Sequence, residues 1–141
     1  MNIAFISCVK EKRIGKYKAK DLYTSDFFRK SFKYCSSKYD KVFILSAKYG
    51  LLELNDSIEN YEMTLNNFSK VEKVEWSVMV CDQMENKIDD SDDLYFYVGN
   101  NYREHLLPLL SNNCFVPLEG KGIGEQLQYF KNNTETQHEF F

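Results

Sequence analysis

Metal-binding side chains are scarce in this chain of 141 residues, which has four cysteines and two histidines. Cys8, Cys35, Cys81 and Cys114 lie far apart with no C-x-x-C pair, and only His105 and His138 supply imidazole. The ligand spacing of a zinc site is missing, so no metal is expected. Asp89, Asp90, Asp92 and Asp93 cluster, but without the glycine and downstream Glu of a calcium loop they read as a solvated turn. No apolar run approaches bilayer-spanning length, so no membrane partner is expected. Met1–Ile6 is too short for a secretory leader and has no cationic lead-in. The expectation is a cytoplasmic protein with reduced thiols. Neither a G-x-G-x-x-G nor a Walker loop occurs, which removes the commonest dinucleotide and kinase-type sites, and no cofactor is expected. A formal net charge of −3 does not suit a protein coated with phosphate contacts, although local basic patches can still hold anions.

What is present is apolar and aromatic. Hydrophobic residues make up 43% of the chain and aromatic ones 16%, enough to bury one substantial core. The length is that of one domain, expected to span residues 1–131, with a loose polar tail at 132–141. The central stretch is Val42–Leu52, where a continuous apolar run stops at Ser46, Lys48 and Tyr49. Such a short run, rich in β-branched and aromatic side chains, predicts a strand buried on both faces that delivers a loop.

Taken in order, Asn2–Val9 predicts a first strand, followed by a basic loop from Lys10 to Lys20 broken by Gly15. Thr24 or Ser25 is placed to cap a helix whose apolar stripe is Phe28, Phe32, Cys35 and Tyr39. Residues 52–67 lack a period and carry the turn formers Asn55, Asp56, Asn60, Asn66 and Asn67, which predicts a long binding loop or lid. Ser69 with Glu72 forms a capping box for the longest helix, with the stripe Val71, Val74, Val78, Cys81, Met84 and Ile88. Leu94–Val98 is the third strand; the helix from Tyr102 to Leu110 should kink or split at Pro108. Cys114–Leu118 is the fourth strand, where Pro117 suits an edge, and Glu119–Gly124 opens a last helix with the stripe Ile123, Leu127 and Phe130.

Four strands, each followed by a helical segment, predict a three-layer α/β domain. It would be flavodoxin-like or Rossmann-like, with a mainly parallel four-stranded sheet in the order 2-1-3-4. Ligands of such sheets bind beyond the carboxyl ends of the strands. Polar groups follow every strand there: Ser7, Cys8 and Lys10; Ser46, Lys48 and Tyr49; Asn100 and Arg103; Glu119, Gly120, Lys121 and Gly122. Gly120, Gly122 and Gly124 before a helix let backbone N–H groups approach an anion where the helix dipole favours negative charge, or simply allow close packing.

The motifs resemble a known family. Ser7-Cys8-x-Lys10-x-Lys12, Asp21-Leu22-Tyr23-Thr24-Ser25-x-x-Phe28 and Leu45–Leu52 carry the likeness. So do Tyr61 with Thr64-Leu65, and Pro117-Leu118-x-Gly120-x-Gly122-Ile123-Gly124-x-Gln126-Leu127. Together they resemble a bacterial and phage domain of unknown function, over nearly the whole chain. That family is in turn distantly similar to YaaA-like proteins and to the catalytic domain of archaeosine synthase, which works on a 7-deazaguanine base in RNA. The resemblance implies an enzyme acting on a nucleobase, nucleoside or nucleotide.

Two classes of function follow. In an enzyme, Lys10 or Lys48 and the glycine-rich helix start would hold phosphate or carboxylate, while Cys8 or Glu119 would serve as nucleophile or acid/base. Asp21, Tyr23, Ser25 and Tyr61 complete the candidate binding set. The partner would be a nucleotide-like small molecule, bound for base modification or N-glycosidic bond chemistry. In a non-catalytic nucleotide- or nucleic-acid-binding module, the basic loop would act with Tyr17, Tyr23 and Tyr49 as stacking platforms.

Overall fold

A computed structural model describes residues 1–7 and 12–138, the side chains of 135–138 excepted. Its strands are β1 (Asn2–Ser7), β2 (Lys16–Lys18), β3 (Lys41–Ser46), β4 (Gly50–Glu53), β5 (Ser57–Glu59), β6 (Asp93–Tyr97) and β7 (Cys114–Phe115). Its α-helices are α1 (Ala19–Leu22), α2 (Asp26–Lys38), α3 (Lys70–Met84), α4 (Asn100–Arg103) and α5 (Ile123–His138). The architecture is mixed α/β around a five-stranded, mostly parallel sheet in the order β4-β3-β1-β6-β7. β1 pairs in parallel with both β3 and β6, so its residues are covered on both edges and both faces. This explains why Ile3, Ala4, Phe5 and Ile6 form a continuous apolar run instead of alternating with polar residues.

Alternation along each strand divides the core in two. Ala4, Ile6, Val42, Ile44 and Leu52 turn toward Ala19, Leu22, Phe28, Cys35 and Phe130 from α1, α2 and α5. Ile3, Phe5, Phe43, Leu45, Leu94 and Phe96 turn the other way, toward Trp76, Val80 and Met84 of α3 and Tyr102 of α4. Burial pushes the Cys35 thiol well above its ordinary range, as suits a small core residue. Among the described residues no helix is long and apolar enough to cross a membrane.

Several expectations are corrected. The sheet has a fifth strand: β4 runs antiparallel to β3, returning through the tight turn at residues 47–49. Gly50 makes this return possible. It has φ +72°, and a Cβ there would meet Gln83 Oε1 at 2.3 Å and Met79 Cε at 2.8 Å. Gln83 fastens the turn by accepting from Leu51 N (2.8 Å) and donating to Tyr49 O (3.1 Å). Residues 52–67 are thus no aperiodic loop: they finish β4, form β5 and end in a 3-10 turn at Leu65–Asn67. The basic segment is ordered in part as well, since β2 pairs antiparallel with β5 and leads into α1.

The capping box of α3 forms as expected: Ser69 Oγ accepts from Glu72 N, and the Glu72 side chain accepts from Ser69 N. The expected stripe holds in its second half, where Met84 is buried and Cys81 and Ile88 pack against the core, and fails in its first. Val71, Val74 and Val78 are exposed, and Trp76, Ser77, Val80 and Met84 face the sheet. A Trp Nε1 bond to Ser46 O (3.0 Å) sets this rotation. The helix expected from Tyr102 to Leu110 is split into α4 and a 3-10 turn, Leu107–Leu109, around Pro108. β7 ends at Phe115, leaving Pro117 in the turn beyond. The last helix continues past Lys131 to His138.

Candidate functional site

A crevice of about 380 Å³ opens where β1 and β6 end. Ser7 closes one side, Val98 and Gly99 lead from β6 into α4, and Leu118–Lys121 lead from β7 toward α5. Thr64 and Asn66 form the remaining wall, tied to α4 by a hydrogen bond from Asn101 Nδ2 to Asn66 Oδ1. Asn101 is itself held by Lys73 Nζ at 3.1 Å.

The electrostatics are mixed but organised. Arg103 is largely buried and donates to Val98 O (2.7 Å), which fixes its guanidinium beside the crevice. A second guanidinium nitrogen stands 3.7 Å from Glu119 Oε2 across the opening. Lys121 is exposed on the same rim. Where α5 begins, Glu125 Oε1 accepts from Gly122 N (3.3 Å), an exposed contact that an incoming anion would compete with. Tyr97 lines the crevice, with its hydroxyl bonded to Tyr39. Burial raises its phenol far above the usual range, and burial likewise raises Tyr39 to about 12. Neither phenol can serve as a base near neutral pH.

The glycines answer a question the sequence leaves open. Gly120 has φ +83°, as the turn requires. Gly99 and Gly124 have no such requirement, and among the described residues a Cβ at either would meet nothing within 4 Å; at Gly122 it would meet only Glu125 Oε1, at 3.8 Å. Close packing against the described residues is therefore not why these positions are glycine.

Ser7, Asn100, Arg103, Glu119, Gly120 and Lys121 thus line one crevice, and Gly122 and Gly124 lie where α5 starts beside it. A second group of expected residues gathers elsewhere, in a buried hydroxyl chain. Tyr23 and Tyr61 share a hydrogen bond of 2.8 Å, Ser46 Oγ donates to the Tyr61 hydroxyl (2.9 Å), and Tyr49 N donates to Ser46 Oγ (3.1 Å). This chain knits three sequence motifs into one hub. Tyr61→Phe is expected to lose about 1–2 kcal/mol of stability by deleting its bonds, read from the denaturant midpoint. A loss below about 0.5 kcal/mol would show that the hub does not hold these segments together.

Ser25 caps α2, accepting from Phe28 N at 3.1 Å. Asp21 is exposed, and its backbone oxygen accepts from Arg13 Nε (3.1 Å). Lys48 is exposed on the β3–β4 turn with Nζ 5.2 Å from the Tyr49 ring, and does not line the crevice. Cys8 and Lys10, which follow Ser7, lie outside the described residues. Sequence reading missed Asn66, Asn101 and Gln126 as crevice walls. The signal for Asn66 and Asn101 is an Asn pair at each, which reads equally well as a turn, and that for Gln126 is its place in the motif after Gly124.

Fold and site together define a mixed α/β domain with a polar crevice at the carboxyl ends of its parallel strands. Residues 3–132 match a family of unknown function, DUF6884, and the chain belongs to it. It is also 28% identical over 152 residues to the uncharacterized protein YfjM of Bacillus subtilis (strain 168), with 97% of each chain covered. The motif resemblance is borne out at that level, as a family of unknown function.

Proposed function

We propose that the protein is an enzyme acting on a nucleobase, nucleoside or nucleotide whose phosphate or other anionic group is held in the crevice between Arg103, Lys121 and the start of α5. The observation that carries this reading is the set of glycines beside the crevice. At Gly124, in the first turn of α5, neither a positive φ nor any described neighbour requires glycine, and Gly122 just before the helix is similarly open. Leaving the backbone bare lets a ligand approach N–H groups that have no intrahelical acceptor in a helix's first turn. Arg103 adds a fixed fork for bidentate contact with an anion.

Within this reading Glu119 is the described carboxylate on the rim, placed to act as acid/base or nucleophile in base modification or N-glycosidic bond chemistry. The flavodoxin-like or Rossmann-like arrangement, and the motif likeness to YaaA-like proteins and archaeosine synthase, support including deazaguanine bases among the substrates tested. A non-catalytic module would use the same crevice and differs in yielding no product.

A thermal-shift screen of nucleosides, their mono- and triphosphates and deazaguanine bases, with product analysis, tests the proposal. At roughly a hundred dissociation constants, a bound monophosphate should add about 2.7 kcal/mol. Gly122→Ala, whose Cβ would meet only Glu125 Oε1 at 3.8 Å among the described residues, and the bulkier Gly122→Val should weaken that effect in that order. Nucleosides that shift the midpoint as far as their monophosphates would refute the anion pocket.

A further inference from the structure

A second cavity, of about 450 Å³, adjoins the crevice. Thr64 lines both and so stands between them. The second cavity combines a rigid aromatic floor, a cation and apolar rims. The Tyr61 ring is fixed by its hydroxyl bonds to Tyr23 and Ser46, and Lys12 Nζ stands 4.4 Å from its centroid. Ile14 and Met63 present large apolar side chains to water, 87% and 43% exposed, although neither contributes to the core. Positive charge continues beyond the cavity: Arg13 lies over the Tyr17 ring at 5.8 Å, and Lys16 and Lys18 are exposed on β2. The opposing carboxylates are Glu62 on the rim and Glu59, the residue opposite Lys16 in the β2–β5 register.

Resting on the nucleotide reading above, we infer that the ligand is a single-stranded nucleic acid, with one nucleotide in the crevice and its neighbour in the second cavity. Each cavity is of the size that holds one small-molecule unit, roughly 300–1,000 Å³, so a free mononucleotide fills only one of them. Apolar and aromatic side chains beside cations are what a base and its phosphate require of a sequence-tolerant strand-binding surface. A protein with net charge −3 then confines its phosphate contacts to this one strip.

Fluorescence anisotropy with labelled single-stranded DNA and RNA of about ten nucleotides, compared with nucleoside monophosphates as competitors, tests this. The oligomers should bind roughly tenfold tighter or more, because the second unit binds as a tethered neighbour. Exchanging both rim residues, Ile14→Ser with Met63→Ser, should remove most of that advantage and leave monophosphate affinity unchanged. Lys12→Gln should reduce the slope of log affinity against log salt by about 0.7. Oligomers that bind no tighter than monophosphates would overturn the inference while leaving the crevice reading intact. Rim variants that weaken both probes equally would overturn it as well. If neither probe binds, both readings fall.

Discussion

Phe5→Ala is expected to remove about 3–5 kcal/mol of folding stability, the range for truncating a core phenylalanine. Phe5 is fully buried on the central strand, with Phe96 at 4.6 Å and Phe43 at 5.7 Å between ring centroids, both stacked. The vacancy would lie on the sheet face beneath α3, flanked by strands tied by backbone pairing on both sides, so neighbours have little freedom to collapse into it. Against a total stability of about 5–15 kcal/mol this is a large share. Urea unfolding should show a lower midpoint with an unchanged slope. Val71→Ala on α3 serves as the contrast: that residue is 66% exposed, and its loss should stay within about 0.5 kcal/mol. Similar losses for the two variants would contradict the rotation of α3 described above.

Arg103→Met is expected to cut nucleotide-induced stabilisation about in half or further. A hydrogen bond to a charged group is worth about 1.5–3 kcal/mol, so affinity should fall roughly tenfold or more. At a monophosphate concentration giving about 2.7 kcal/mol for the parent protein, the variant should retain about 1.4 kcal/mol or less. Each protein is compared with its own ligand-free midpoint, because the variant also loses the bond to Val98 O. Lys48→Met should leave the effect unchanged, since Lys48 stands outside the crevice. The reverse outcome would move the anion contact from α4 to the β3–β4 turn.

Much of the fold is legible in the sequence because burial on both faces leaves an unambiguous trace. Val42–Leu45 and Ile3–Ile6 read as strands, and the capping box of Ser69 and Glu72 marks the start of α3. β4 escaped notice because Leu51-Leu52 follows β3 so closely that the two read as one run with a loop after it. The misplaced stripe of α3 has a related cause. Valines at positions 71, 74 and 78 continue the helical spacing of Met84, which is buried as expected, but indole and sheet contacts favour Trp76 and Val80 over them. Periodicity locates a stripe; which of two stripes packs depends on the surface it meets.

The candidate site divides in the same way. Residue order alone placed Ser7, Asn100, Arg103, Glu119 and Lys121 after strand ends, and parallel strands put such ends on one edge. No local pattern indicates that Tyr23, Ser46 and Tyr61 bond to one another instead of facing a ligand, since a tyrosine hydroxyl suits either role. Nor does it indicate that Thr64 separates two cavities. Short-range chemistry, such as caps, turns and apolar runs, is written in neighbouring residues and was determined by the sequence by itself. The partners of side chains tens of residues apart are settled only when the sheet pairs and the helices rotate onto it, and the tertiary structure decided those.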